Sequence, residues 1–213
     1  CIDVANILID WNMDHATVVS ALLHDVIEDT EVKLSDIEEE FGSDVALLVD
    51  GVTKVENIAF RSKKHKQAEN FTKLFLSLAR DLRVIIIKFA DRLNNMETIQ
   101  YLSSKKQKEI ALETKEIFVP LAHRLGMAQL KWKLEDLSLK CLDLRAFNGI
   151  KKKIETSLRL NEDILSNAIK PIKSELNTYK IKSNIYGRYK SISSIHRKIE
   201  KSGKKFEEIY DLY

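Results

Sequence analysis

The chemistry of this sequence is concentrated in Ala21-Leu22-Leu23-His24-Asp25-Val26-Ile27-Glu28-Asp29-Thr30. Val18, Val19, Ala21, Leu22, Leu23, Val26 and Ile27 are apolar almost all the way round a helix, a pattern that belongs to a segment with little exposed face. At helical spacing His24 lies one turn below Glu28, and Asp25 one turn below Asp29, so one imidazole and three carboxylates share one helix end. Burying carboxylates without a counter-charge costs several kcal/mol or forces protonation. The patch therefore asks for a cation, and a divalent metal is the economical answer. The competing reading is an ordinary solvated helix end, since the acids run on into Thr30 and Glu31.

A second stretch, Arg83 to Thr98, carries polar groups at helical spacing. Val84 to Ile87 has the composition of a buried strand. Ile86, Ala90, Leu93 and Met96 instead recur with a helical period, and no Gly or Pro interrupts them, which predicts one helix. Asp91, Asn95 and Thr98 then fall at i, i+4 and i+7 on one face. An acid, an amide and a hydroxyl on one stripe read as the edge of a site. They read equally as a solvated stripe with Asp91 paired to Arg92 or Lys88.

The elements that must position these residues are helical. A chain of 213 residues is long enough for one large or two modest domains, and 6 Gly and 2 Pro argue against many short strands joined by turns. Cys1 and Cys141 form no disulfide framework, so a reducing, cytoplasmic setting is expected. No segment reaches the roughly 20 apolar residues that span a bilayer, and no signal peptide is expected. A formal charge of +3 specifies no partner, and neither membrane nor direct DNA binding is expected.

The chain opens mid-helix, with Ile2, Ala5, Leu8 and Ile9 as an apolar face, and His15 follows the cap Asp14 in the loop to the next helix. Leu34 to Phe41 is a short amphipathic helix closed by Gly42, and Ser43 or Asp44 caps a helix to about Val55. Lys54 follows its apolar face and is a candidate for a substrate phosphate, or a solvated lysine. Asn57 to Gln67 is a basic loop, Ala68 to Ala79 a helix, and Asp81 the cap of the Asp91 helix. Ser104 to Leu125 is predicted as one long helix kinked at Pro120 and ended by Gly126. Lys131 to Leu144 follows, then Ile150 to about Tyr179, broken near Pro171.

The last section is basic. From Lys180 to Lys205 nine lysines and arginines face one acid, Glu200. Gly187-Arg188-Tyr189-Lys190-Ser191 follows a strand-like Ser183 to Tyr186 and opens a helix, a place where backbone amides and cations bind phosphates. A solvated face is the alternative.

His24-Asp25 with the distant Asp91 resembles the HD-domain metal phosphohydrolases. The fuller strings look like one branch of them, the Rel/SpoT family that makes and destroys (p)ppGpp: His24 to Thr30, Asp50-Gly51-Val52-Thr53-Lys54, Ile87 to Met96, and Pro120-Leu121-Ala122-His123-Arg124-Leu125-Gly126. The likeness covers essentially the whole chain.

The resemblance implies a mainly α fold: an HD-domain helical bundle over 1–143, a helical connector over 144–182, and over 183–213 the beginning of an α+β nucleotidyltransferase-like synthetase domain. It implies a Mn²⁺-dependent (p)ppGpp 3′-pyrophosphohydrolase releasing GDP or GTP and pyrophosphate. His24, Asp25 and Asp91 would hold the metal, together with a His that the family places just before Cys1. Metal affinity of the chain would depend on that His, and substrate binding on basic residues further upstream. Glu28 and Asp29 would position water and move its protons, and Asn95 and Thr98 would line the nucleotide pocket.

In the synthetase part, Arg188, Lys190 and Lys198 match nucleotide-phosphate contacts and Asp211 a Mg²⁺-binding catalytic acid. Tyr189 stands where many members have Pro, and Mg²⁺ enters only with a complete synthetase domain. The expected partners are the guanine nucleotide (p)ppGpp and the remaining C-terminal part or a sister chain. The alternatives are an ATP:GTP 3′-pyrophosphotransferase fragment, a non-catalytic nucleotide-binding fragment, and an HD phosphohydrolase acting on another nucleotide.

Overall fold

Asp14 starts the second helix by accepting the backbone N–H of Thr17 at 3.1 Å, and local signals of this kind delimit most of the elements. The computed structural model describes residues 1–56, 81–160, 164–185, 187, 190–203 and 205–208. Among the described residues there are helices and turns and no strand. Two compact units divide the chain, Cys1–Leu102 and Ser103–Tyr213.

The first unit contains α1 (Ile2–Asp10), α2 (His15–Leu23), α3 (Val26–Asp29), α4 (Leu34–Phe41), α5 (Ser43–Glu56) and α6 (Arg83–Glu97), followed by a 3₁₀ turn, Ile99–Tyr101. Gly42 ends α4 with φ +86, a left-handed value that glycine adopts without a Cβ penalty, and its carbonyl accepts the Ala46 N–H to begin α5. Asp81 does the capping expected of it, accepting the N–H of Arg83 at 2.8 Å. Arg83 then reaches Asp44 of α5 at 2.7 Å and Asp14 at 3.3 Å, so one guanidinium joins the starts of α2, α5 and α6.

Helix α6 is the axis of this unit and packs against α1, α2 and α5. Val84, Ile85, Ile87, Phe89, Ala90, Leu93 and Met96 are buried; of the predicted period Ala90, Leu93 and Met96 are in the core, whereas Ile86 is only partly buried. Each fully buried Ile or Phe side chain contributes roughly 1.5–3 kcal/mol of transfer free energy. Gly51 on α5 meets Val84 so closely that a Cβ there would lie 2.7 Å from Val84 Cγ2. In α1 the buried face is Val4, Ala5 and Leu8, whereas Ile2 and Ile9 are exposed, contrary to the expected apolar face. Ile2 and Ile9 lie two turns apart on one stripe, beyond the arc that α2 and α6 cover.

The second unit contains α7 (Ser104–Glu113), a π turn (Thr114–Phe118), α8 (Val119–Arg124), α9 (Ala128–Leu142), α10 (Leu144–Leu160), α11 (Ile164–Thr178), α12 (Ile192–Ser202) and a 3₁₀ turn, Phe206–Glu208. The predicted Pro120 kink takes the form of the π turn, whose bond from the Val119 N–H to the Thr114 carbonyl shifts the ladder just before the residue that has no N–H. Gly126, at φ +73, ends the run as expected.

One expectation is corrected here. Pro171 lies inside α11 rather than at a break. Its ring removes one bond, and the carbonyl left over belongs to Asn167, an exposed residue that solvent reaches. Of the strand-like stretch 183–186, residues 183–185 pair with none of the described residues, and Tyr186 lies outside them. Ile150, Ile195 and Phe206 form a core joining α10, α12 and the last turn. Asp136 of α9 accepts the N–H groups of Ile192 and Ser193, at 3.3 and 2.7 Å, and caps α12 from outside.

Candidate metal centre

The centre begins with a helix that stops. Helix α2 ends at Leu23, His24 and Asp25 occupy a turn with Asp25 at φ −93, ψ −8, and α3 restarts at Val26. The sequence predicted one continuous helix here. The interruption has a local cause: His24 Nδ1 lies 2.8 Å from the carbonyl of Ala21, the carbonyl that a continuing helix would present to the Asp25 N–H. Leu23 and Ile27, on either side of the turn, pack against Ile37, Val45, Ala46 and Val49. Neighbouring residues on a straight helix do not face each other. On this turn they do, and His24 Nε2 stands 3.0 Å from Asp25 Oδ1.

Asp91 is delivered from α6, with Oδ1 at 3.9 Å from His24 Nε2. Its carboxylate is held from two sides. Asn95, one turn on, donates its amide to Oδ1 at 2.9 Å, and Lys88, on the preceding turn, places Nζ 3.9 Å from Oδ2. His24 is 2% exposed and Lys88 5%. Burial pushes the Lys88 ammonium below its usual pKa, while Asp91, Asp25 and Glu28 hold it up.

The donor set fits a divalent cation. A carbonyl oxygen only accepts, so Nδ1 donates in its bond to Ala21, and Nε2 is the nitrogen that faces the carboxylate oxygens, carrying a lone pair in the neutral imidazole. Lone pair against lone pair is repulsive unless a proton or a metal ion lies between them. An imidazole whose second nitrogen is fixed by a backbone carbonyl, beside two carboxylates, is a common arrangement for a metal ligand. Cys1 Sγ stands 3.7 Å from Asp25 Oδ2, and one donor atom each from Cys1, His24 and Asp25 lie within 4.8 Å of one another.

The profile of the HD domain matches residues 1–128. The chain belongs to the HD-domain family. It is 40% identical over 99% of its length to a guanosine-3′,5′-bis(diphosphate) 3′-pyrophosphohydrolase of Haemophilus influenzae, covering 31% of that protein. A protein of the same name from Spiroplasma citri is 43% identical over 96% of the chain, which covers 28% of it. A GTP pyrophosphokinase of Myxococcus xanthus is 41% identical over 99%, with 28% of it covered. The resemblance to the Rel/SpoT enzymes therefore holds over nearly the whole chain, which spans less than a third of the length of these relatives. The helical HD domain expected from the sequence is the one observed.

Of the residues read from the sequence, the HD domain brings His24, Asp25, Asp91 and Asn95 together. Glu28 and Asp29 are exposed on α3, the former close enough to act electrostatically on Lys88. Thr98 is exposed and donates its hydroxyl to the Asn94 carbonyl at 2.9 Å. Lys198 lines a shallow cavity of about 310 Å³ on α12 with Ser194, Arg197, Lys201 and Ser202, and Lys190 is half-buried just before that helix. The Lys54 side chain, Arg188, Asp211, the basic loop and the Ala68 to Ala79 helix lie outside the described residues. Two donors were not counted from the sequence as site residues. Cys1 gave no signal, and Lys88 was weighed only as an ordinary partner for Asp91, although a lysine between Ile87 and Phe89 in an apolar run marks a buried charge.

No helix among the described residues is long and apolar enough to cross a membrane.

Proposed function

We propose that this chain is the hydrolase part of a Rel/SpoT-type enzyme, removing pyrophosphate from the 3′ position of (p)ppGpp to leave GDP or GTP. The observation that carries the reading is the buried imidazole nitrogen of His24, directed at the carboxylates of Asp25 and Asp91. The names of the relatives, pyrophosphohydrolases among them, support the substrate. On this reading residues 1–143 form the hydrolase domain, 144–182 the connector and 183–213 the opening of a synthetase domain, all in the cytoplasm.

His24, Asp25 and Asp91 would hold the ion, which we take to be Mn²⁺ on the resemblance to the Rel/SpoT enzymes; imidazole with carboxylates is compatible with Mn²⁺ without selecting it over other divalent ions. Bound there, the ion supplies Lewis-acid chemistry, lowering the pKa of a water and offsetting pyrophosphate charge. Glu28 and Asp29, exposed at the same helix end, position that water and take its proton. The bond that breaks joins the ribose 3′ oxygen to phosphorus; the water oxygen ends on pyrophosphate and a proton on the 3′ hydroxyl. Asn95 keeps Asp91 oriented and, with Thr98 and Lys54, borders the nucleotide.

The decisive experiment is pyrophosphate release from ppGpp with Mn²⁺. Release that chelation stops and Mn²⁺ restores is the expected result; no release with any divalent ion, even from the chain extended upstream to include the expected His and basic residues, would overturn the reading. The pyrophosphokinase names among the relatives favour a second reading, transfer of pyrophosphate from ATP to GTP through Arg188, Lys190, Lys198 and Asp211 with Mg²⁺. Formation of ppGpp from ATP and GTP by the chain would support it.

A further inference from the structure

Lys88 is a charged group in a place built for an apolar one. Its neighbours Ile87 and Phe89 are both 0% exposed, and it is itself 5% exposed on the helix at the centre of the first unit. A methionine of similar length would fill this position without the cost of removing an ammonium from water, which reaches several kcal/mol for a buried ion. The group that offsets the cost is visible: Asp91 Oδ2, three residues on, at 3.9 Å.

The two oxygens of Asp91 have different partners. Oδ2 faces Lys88, while Oδ1 accepts from Asn95 at 2.9 Å and faces His24 Nε2 at 3.9 Å. A carboxylate free to turn about its last torsion would swing both oxygens out of line with His24. With a cation on one oxygen and an amide on the other, its plane is fixed. We propose that Lys88 is a positioning residue of the metal centre, its ammonium holding Asp91 Oδ2 so that Oδ1 stays turned toward His24 Nε2; this rests on the metal-dependent reading above.

Lys88 therefore meets Asp91 at the oxygen that is not paired with His24. Removing it has two consequences of opposite sign. Its positive charge repels a divalent ion, so a neutral residue would tighten metal binding if charge alone mattered. Its grip orients Asp91, so the same change would weaken binding if position matters. Outer partners of metal ligands change affinity by about 10- to 100-fold when removed.

The test compares Lys88→Met and Lys88→Arg with the unaltered chain, using Mn²⁺ as the probe. The Mn²⁺ dissociation constant is read from the electron paramagnetic resonance of the free ion, and folding from circular dichroism and Tm in chelator. The expected result for Lys88→Met is a folded protein that binds Mn²⁺ about 10- to 100-fold more weakly, with Lys88→Arg recovering most of the loss. In a Lys88→Met, Asp91→Asn double variant, Lys88→Met should weaken binding no further. Equal or tighter binding by Lys88→Met would make Lys88 a packing residue and overturn the proposal. Should Lys88→Met fail to fold, Lys88→Gln is read by the same outcomes; loss of fold in both neutral variants, with Lys88→Arg intact, would also overturn it. No Mn²⁺ binding by the chain extended upstream to include the His expected before Cys1 would reject the metal-dependent reading itself, whereas binding that Lys88→Met leaves unchanged would reject only the role of Lys88.

Discussion

His24 and Asp91 meet across two helices, with Nε2 of one 3.9 Å from Oδ1 of the other, because α2 breaks at His24 and α6 runs past the break. Replacing Asp91 by Asn keeps the shape and removes the anion. Pyrophosphate release from ppGpp should fall by on the order of a thousand-fold, since the ion's Lewis-acid contribution is several kcal/mol. The circular dichroism spectrum should be unchanged. Activity retained by Asp91→Asn would place the reaction elsewhere.

Gly51 marks the closest approach of α5 and α6. Alanine is the better helix former by about 1 kcal/mol, yet its Cβ would lie 2.7 Å from Val84 Cγ2, and Val84 is buried and stiff at χ1. Overpacking costs typically 1–3 kcal/mol, so the clash outweighs the propensity. Gly51→Ala should lower Tm, and adding Val84→Ala should recover part of the loss. A rise in Tm for Gly51→Ala alone would show that α6 shifts freely.

The Arg83 network predicts an acid limb in stability. Hydrogen bonding from Arg83 holds the Asp81 carboxyl below its ordinary value of 3.8, and Thr17, followed by Arg83, does the same for Asp14. Groups with depressed folded-state pKa values stabilise the fold above the unfolded value and lose that contribution as pH falls through the folded one. The contribution is thus complete near neutrality and disappears below about pH 4. Arg83→Met should lower Tm by a few degrees at pH 7 and by less at pH 2.5, because partly exposed pairs contribute roughly 0–1 kcal/mol each. Equal losses at both pH values would mean that Arg83 acts by packing alone.

Asp136 caps α12 from a neighbouring helix. Asp136→Ala frees the N–H groups of Ile192 and Ser193 and should destabilise the second unit by about 1–2 kcal/mol. Hydrogen exchange of the α12 amides reports the effect locally. Ser191→Ala should cost less, since its bond to the Ser194 N–H is 3.4 Å long. A larger effect at Ser191 would contradict this ranking.

The sequence by itself determined most of the helices and which residue types could meet at the centre. Apolar residues three and four apart, Asp14 and Asp81 as caps, and Gly42 and Gly126 as stops are local properties, because caps and positive φ values depend on a few neighbouring residues. His24 and Asp25 stood out by type and setting, Asp91 and Asn95 by sharing one helical face, and the resemblance to HD-domain enzymes is what joined them into one expected metal centre.

Only the tertiary structure decided how these groups face one another. The side chain of His24 competes for the Ala21 carbonyl and breaks the helix, which turns two neighbours toward one point, and no helical period predicts that. Burial also belongs to the packed fold. Lys88 is buried because α1, α2 and α5 close around α6, and Ile2 and Ile9, apolar by type, remain exposed because no helix among the described residues covers their stripe. Type and spacing are written along the chain; the distance between two groups and the water excluded from around them are properties of residues remote in it.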